Sequence, residues 1–420
     1  MDTASLSPED KAFATRLVLG VVSTRGVLSE LVDRCLRSPS DVEDDVRDAL
    51  LLSAYEMVYL RKAPHAAVDQ GVELVRSVAP RAGGLANAVL RKVAAARERF
   101  PFGDPSRDLA AYARLHGFPH WLAERLVADL GPTAAHGLMV ASNEPAPVFV
   151  AVNALRMTDD EACAVLRAAK GDPQPVEVRG VVVPGCYRLS SGTVLLDGRV
   201  RRLLRSGALL VSDAAAQAVA ARVVAASAPE GSFLEVGAGR GTKTILLQSG
   251  FARRCGAQAE RFVAVDSHGF KTELLRERAE AYGVSVAEAL TGDATDLGAL
   301  VGDRRFDAVF VDAPCSGLGT LRRHVDIRWR LAEPLVAEHA ALGARLLRSA
   351  AAQVAPGGLL AYATCTVTPE ENAGVVDGFL ASADGQGFSP IEQDGERFFA
   401  TQLVPGGCDA HFLALLRRQG

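Results

Sequence analysis

From Asp213 to the end of the chain, short apolar runs alternate with stretches of helical character, and this alternation constrains the fold more than any other feature. The runs are Phe233–Val236, Phe262–Val265, Ala308–Val311, Leu359–Ala363 and Phe412–Leu416. Strand and helix in alternation build a doubly wound α/β sheet, because each helix must bury its apolar stripe against the sheet. The first four runs each pass directly into polar or glycine-rich residues. Open α/β sheets bind ligands at these carboxyl ends. The chemistry is therefore expected at Glu235–Lys243, Asp266, Asp312–Cys315 and Thr364–Cys365.

A chain of 420 residues is too long for one ordinary domain. Residues 1–105 read as wholly helical, with apolar residues at helical spacing in Phe13, Leu17, Val18 and Val21, and again in Leu50, Leu51, Ala54, Tyr55 and Val58. Ser7 is placed to cap the first helix, with Pro8 in its first turn. Residues 106–212 mix character: a helical stretch over Leu109–Val140 precedes β-rich runs at Val148–Val152, Val181–Val183 and Val194–Leu196, a small α/β module. Residues 213–420 form the sheet domain.

With 49% hydrophobic and 23% charged residues, the chain can bury a core and is not of disordered composition. It has no uninterrupted apolar run long enough for a bilayer and no signal-peptide pattern at its start, so a cytoplasmic protein without a membrane partner is expected. Seven scattered cysteines, with no CxxC pair, suggest neither a disulfide framework nor a metal site. A net charge of −4 argues against indiscriminate nucleic-acid wrapping. Two basic clusters still suit RNA: Arg199, Arg201, Arg202 and Arg205, then Arg322, Arg323, Arg328 and Arg330.

Glu235-Val236-Gly237-Ala238-Gly239-Arg240-Gly241 follows one apolar run and precedes a helix starting near Thr242. Glycines at such a turn let the backbone approach a ligand at the helix N-terminus. A nicotinamide-binding fingerprint would need its third glycine where Thr242 stands and an acid about 20 residues on. The next strand-end acid, Asp266, instead lies 29 residues after Gly237. The pattern resembles class I S-adenosylmethionine-dependent methyltransferases. That resemblance implies S-adenosylmethionine as cofactor, held by Glu235, Gly237, Ala238, Gly239, Arg240, Gly241, Thr242, Lys243 and Asp312. It also implies ribose contacts from Asp266 and adenine contacts from Asp293.

Phe306–Gly317 reads as a buried strand running into a sharp turn at Asp312-Ala313-Pro314-Cys315, and Leu359–Thr366 repeats the arrangement around Cys365. Most cysteines are small buried hydrophobes, and Cys35, Cys163, Cys186, Cys255 and Cys408 keep that reading. Cys315 and Cys365 sit at the functional rim of two strands. Carbon 5 of cytosine is too poor a nucleophile to attack a methylsulfonium, but a thiolate adding to carbon 6 makes it an enamine carbon. A second group must then help remove the carbon 5 proton and expel the thiol. A thiol with a pKa of about 8.5 needs local help to ionise. Asp312 could hydrogen-bond the ring at nitrogen 3.

Asp312–Thr320 with Arg322-Arg323 and Asp326-Ile327-Arg328-Trp329, Thr364-Cys365 with Glu370-Glu371-Asn372, and Asp409-Ala410-His411-Phe412 resemble motifs of the Sun/Fmu (RsmB-like) family of RNA cytosine-5 methyltransferases. The likeness extends forward. Pro64–Val68 and Gly84–Arg91 resemble a NusB-like helical domain, and Asn143–Pro145 with Val152-Asn153 resemble the RNA-binding module that follows it. The resemblance implies a multidomain chain: an all-α NusB-like domain, a small α/β RNA-binding module and a class I, Rossmann-like methyltransferase core. It makes Cys365 the nucleophile and Cys315 the releasing group, with Lys243 near the cytosine and Asp312, acting on RNA of the small ribosomal subunit. The glycine turn departs from the family's Cys-Ala-Ala-Pro-Gly-Gly-Lys-Thr toward the general methyltransferase form, with Lys243 kept. Leu6-Ser7-Pro8-Glu9-Asp10 also matches a point after the helical domain's first helices, so either that domain is incomplete at its start or the start site is misassigned.

Three other readings compete. An exocyclic-amine methyltransferase would need no thiols at Cys315 and Cys365. An RNA-binding ribosome-assembly factor without catalysis would not need both cysteines, Asp312 and Lys243 together. The third keeps the chemistry but takes tRNA as substrate.

Overall fold

A computed structural model describes residues 6–228 and 230–420. The chain divides into two compact units, one running to Asn143 and taking in Arg323–Glu333, the other comprising Glu144–Arg322 and Pro334–Gly420. Residues 106–212 are thus shared between the two.

The first unit is all helical. Helices Pro8–Asp33, Asp44–Val58, Pro64–Val78 and Gly83–Ala96 enclose a core that includes Leu28, Leu50, Met57, Val75 and Leu90. Ser7 caps the first helix as its sequence suggests, accepting from the Asp10 N–H. Burial in that helix starts only at Gly20, so Phe13 and Val18 remain about half exposed. Glu9–Asp33 is long and apolar enough, by length and composition, to cross a membrane, with a mean hydropathy of 1.2 over 18 residues. Arg16, Arg25 and Glu30 interrupt its apolar run.

The helical stretch expected over Leu109–Val140 is three helices, Leu109–His116, His120–Leu130 and Pro132–Ala141. Gly117 ends the first in the left-handed conformation, and Gly131 precedes a proline that starts the third. The inserted segment Arg323–Glu333 is fixed in this unit by two side chains. The Trp329 indole donates to the Ser23 carbonyl at 2.8 Å, over Gly26, where any Cβ would come within 2.1 Å of the ring. The fully buried Arg328 donates to the carbonyls of His116 and Ser142 and to Asn143 Oδ1, with its guanidinium 4.3 Å from the Phe118 ring centre.

The second unit begins with a small sheet. Its strands are β1 (Val148–Val152), β2 (Gln174–Val178), β3 (Val181–Leu189) and β4 (Leu209–Val211), in the order β2-β3-β1-β4 and all antiparallel. Helices Asp159–Ala168 and Gly198–Arg205 accompany it. The strand expected at Val194–Leu196 is a 3-10 turn, Gly192–Leu196. Its backbone bonds close locally, Val194 N–H to Ser191 and Asp197 N–H to Val194, with the Ser191 hydroxyl capping Thr193. Asn153 ties this module to the core, donating to the carbonyls of Gly207 and Tyr282, both at 2.8 Å.

The core sheet has β5 (Phe233–Val236), β6 (Phe262–Asp266), β7 (Glu288–Thr291), β8 (Phe306–Asp312), β9 (Val354–Thr364), β10 (Phe388–Pro390), β11 (Phe399–Ala400) and β12 (Phe412–Arg418). The order is β10-β12-β9-β8-β5-β6-β7, with β11 on β12. Strands β5 to β9 run parallel, and β12 enters antiparallel to β9. Two apolar clusters cover the faces, one including Phe233, Phe251 and Phe310, the other Val236, Val309 and Tyr362. The order reverses between β5 and β8. In an open parallel sheet, that switch point opens the ligand crevice.

Candidate functional site

The glycine turn leaves β5 at the switch point. Gly237 has φ +79°, and a Cβ there would lie 2.3 Å from the Asp312 carbonyl oxygen, so only glycine fits between the ends of β5 and β8. Gly241, also left-handed, caps helix Thr242–Cys255, whose start matches the sequence reading. Arg240 is exposed. The Arg278 guanidinium braces the turn from below, donating to the Arg240 carbonyl and to the Thr242 hydroxyl.

At the end of β6, the buried Asp266 carboxylate accepts from the Gly239 N–H at 2.9 Å and the His268 N–H at 3.0 Å, with Lys271 Nζ at 3.5 Å. Asp293 follows β7 and is exposed, accepting from the N–H and hydroxyl of Thr295. Those bonds hold its carboxyl below the usual range. Two strand-end acids flank a turn of bare backbone, an arrangement that fits the hydroxyls and amine of a nucleoside. Ala238 is buried within that turn. Beneath it lies Glu235, fully buried. Burial pushes its carboxyl up to about 8 against a hydrogen bond from Thr244, and its Oε1 has no partner.

Lys243 and Asp312 meet as an ion pair, Nζ to Oδ2 at 2.7 Å. Burial alone would lower the Lys243 pKa, but the Asp312 carboxylate outweighs it and raises the group above its ordinary value.

Strands β8 and β9 are neighbours, with Asp312 opposite Ala363. This pairing brings the two expected cysteines together, Sγ to Sγ at 3.4 Å, and the Cys365 N–H lies 3.3 Å from Cys315 Sγ. Their pKa values move apart. A hydrogen bond from Cys315 lowers Cys365; burial opposes it and the Lys243 ammonium assists. The same bond raises Cys315 well above the ordinary thiol range, with burial and the anions of Cys365 and Glu371 adding. Ionisation is thereby favoured on Cys365 and disfavoured on Cys315, which makes Cys365 the better thiolate.

Not all basic residues of the second cluster face solvent. Arg322 is buried against Asp409 at 3.0 Å, and Arg328 is buried in the helical unit, so neither is free for RNA. Arg201, Arg202 and Arg205 are exposed on helix Gly198–Arg205. One residue of the site is missed by sequence reasoning beyond its place in a motif. The buried Glu371 accepts from the N–H and hydroxyl of Ser316, both at 2.6 Å, and from the Thr368 hydroxyl at 2.5 Å.

This parallel sheet with an antiparallel closing strand, its glycine turn and paired strand-end acids define a class I, S-adenosylmethionine-dependent methyltransferase. Residues 223–418 match the family profile described as 16S rRNA methyltransferase RsmB/F. Residues 1–95 match the NusB family, and 118–184 the ferredoxin-like domain of RsmF/B-like methyltransferases. A Mycobacterium tuberculosis protein with a provisional methyltransferase name, Rv1407, is 31% identical over 97% of this chain and 89% of its own length. Ribosomal RNA small subunit methyltransferase B of Klebsiella pneumoniae is 29% identical over 95% of this chain and 91% of its own. The crystal structure of PH0851 superposes with a TM-score of 0.79 at 21% identity, covering 99% of this chain and 91% of that one. The chain belongs to the RsmB/F family of RNA methyltransferases.

Proposed function

We propose that the protein methylates carbon 5 of a cytosine in RNA through a covalent adduct on Cys365, with Cys315 releasing the product. The observation that carries this reading is the pair of strand-end thiols, 3.4 Å apart and shifted in opposite directions. Methylation of an amine by direct displacement has no use for such a pair.

The Cys365 thiolate adds to carbon 6, forming a carbon–sulfur bond and moving the double-bond electrons onto carbon 5. Nitrogen 3 gains proton affinity as this happens and takes a proton from solvent, and the Asp312 carboxylate, held by Lys243, accepts a hydrogen bond from the new N–H. The glycine turn, Asp266 and Asp293 would hold S-adenosylmethionine, whose methyl would pass to the carbon 5 electron pair while its sulfur keeps the broken bond's electrons as a neutral thioether. Cys365 is now a neutral thioether, so two of the causes that kept Cys315 protonated, its bond to the thiolate and the thiolate's charge, are gone. Cys315 can then ionise and take the carbon 5 proton. The electrons of that carbon–hydrogen bond restore the ring double bond, the carbon–sulfur pair returns to Cys365, and nitrogen 3 gives its proton back to solvent.

RNA of the small ribosomal subunit is the favoured substrate, supported by the names of the relatives. Such a substrate implies a cytoplasmic protein. The exposed Arg201, Arg202 and Arg205 would meet RNA phosphates, and Arg199, partly engaged by Asp197, borders them. Bisulfite sequencing of rRNA and tRNA from a strain lacking the gene tests the reading. One small-subunit rRNA cytosine should lose protection and regain it on complementation. Loss at a tRNA cytosine changes the substrate, and no loss anywhere overturns the proposal.

A further inference from the structure

Glu371 follows Cys365 by six residues, at the turn between β9 and helix Ala373–Leu380. A carboxylate buried to 1% exposure is costly unless its oxygens are well satisfied, and this one is satisfied by groups from both cysteine loops. Ser316, next to Cys315, gives it a backbone N–H at 2.6 Å and a hydroxyl at 2.6 Å. Thr366, next to Cys365, reaches it at 3.4 Å, and Thr368 of the same loop at 2.5 Å. The Ser316 and Thr366 hydroxyls also meet each other at 2.6 Å. The Glu371 backbone is fixed in turn, its carbonyl accepting from the Tyr362 hydroxyl at 2.9 Å. A hydroxyl network alone could link the loops. With an acceptor-only group at the centre, the Ser316 and Thr368 hydroxyls donate to it, which leaves Thr366 to donate to Ser316 and so fixes one arrangement.

We infer that Glu371 is a positioning residue: it straps the Cys315 loop to the Cys365 loop, sets the spacing of the two sulfurs, and places a fixed negative charge behind Cys315. This role rests on the cytosine-5 reading. The charge opposes ionisation of Cys315 in the free enzyme and so favours Cys365 as the thiolate of the pair. No contact to RNA or cofactor is required of Glu371.

Two substitutions separate strap from charge. Gln in place of Glu371 can keep the contacts if the Ser316, Thr366 and Thr368 hydroxyls rotate to accept, but it removes the charge. Met removes both. For Glu371→Met, kcat should fall about 100-fold, the penalty for misplacing reacting groups by an ångström, with KM for RNA and affinity for S-adenosylmethionine within about twofold. Glu371→Gln should retain most of kcat. Its basic limb of kcat/KM, where Cys315 ionises in the free enzyme, should move down by about one pH unit. If Glu371→Met does not fold, Ser316→Ala keeps the charge and the backbone bond but removes the hydroxyl half of the strap, and kcat should fall about tenfold. The role is overturned if Glu371→Met or Ser316→Ala binds cofactor and turns over like the wild type. It is equally overturned if Met and Gln are impaired alike with the basic limb unmoved, the mark of a merely structural group. A wild type that makes no 5-methylcytosine sinks the chemistry itself; a wild type that does, matched by the variants, sinks this role alone.

Discussion

Lys243→Met should disarm Cys365 without touching it. In the wild type the ammonium lies 2.7 Å from Asp312 and is one of the causes that lower the Cys365 pKa. A facing charge at such range shifts a titratable group by about 1–3 units, each worth about 1.4 kcal/mol. The pair is only partly exposed, 12% for Lys243 and 25% for Asp312, so solvent screens it modestly and a shift of about 1–2 units is expected. Removing the ammonium also leaves Asp312 uncompensated, and that carboxylate already raises Cys365. Both changes have the same sign. Cys365 ionises above its pKa, so raising that pKa makes the thiolate scarcer at neutral pH, by about 10- to 100-fold. The assay is alkylation of Cys365 by iodoacetamide from pH 5 to 10, read on its peptide by mass spectrometry. The midpoint should rise by about 1–2 units in Lys243→Met and fall part of the way back in Lys243→Met/Asp312→Asn. Methylation by Lys243→Met should recover partly at alkaline pH. A midpoint that stays put or falls refutes the reasoning.

Other parts of the structure give sharper single outcomes. Gly237→Ala puts a Cβ 2.3 Å from the Asp312 carbonyl at φ +79°, so calorimetry should show S-adenosylmethionine binding lost or weakened at least tenfold, about 1.4 kcal/mol. Arg322→Leu removes the cation facing the buried Asp409, and urea unfolding should report a loss of about 3–5 kcal/mol; less than about 1 would mean the pair is not a structural anchor. Changing Arg201, Arg202 and Arg205 together to Ala should raise KM for RNA with kcat kept. The salt dependence of binding should flatten by up to about 2 in log–log slope, and an unchanged slope would put the RNA elsewhere.

The strands that carry the site were legible because they are central and apolar. Phe233–Val236 coincides with β5, and the others lie within β6, β8, β9 and β12. Strand β7 was not foreseen: Glu288–Thr291 lies at the sheet edge with Glu288 and Thr291 exposed and Ala289 and Leu290 only partly buried, so no apolar run marks it. Val194–Leu196 had the composition of a strand but hydrogen-bonds to itself through Ser191. Cys315, Cys365, Lys243 and Asp312 are gathered by the parallel pairing of β8 with its neighbours β5 and β9, and the strand ends alone disclosed that rim. Glu371 was not legible as a strap, because its partners Ser316 and Thr368 lie 55 and 3 residues away and only the pairing of β8 with β9 brings them together. Burial of Arg322 and Arg328 was hidden for a like reason. Their neighbours Arg323 and Arg330 are exposed, and a run of arginines does not reveal which ones have partners inside.

The central claim is a bond between Cys365 and a cytosine. Cys315→Ser enzyme incubated with RNA and S-adenosylmethionine, denatured and digested, measures it by peptide mass spectrometry. The account predicts a 5-methylcytidine fragment attached to the peptide bearing Cys365, surviving denaturation, and no adduct with Cys365→Ser. An adduct that forms with Cys365→Ser and is absent with Cys315→Ser would contradict it and invert the two roles.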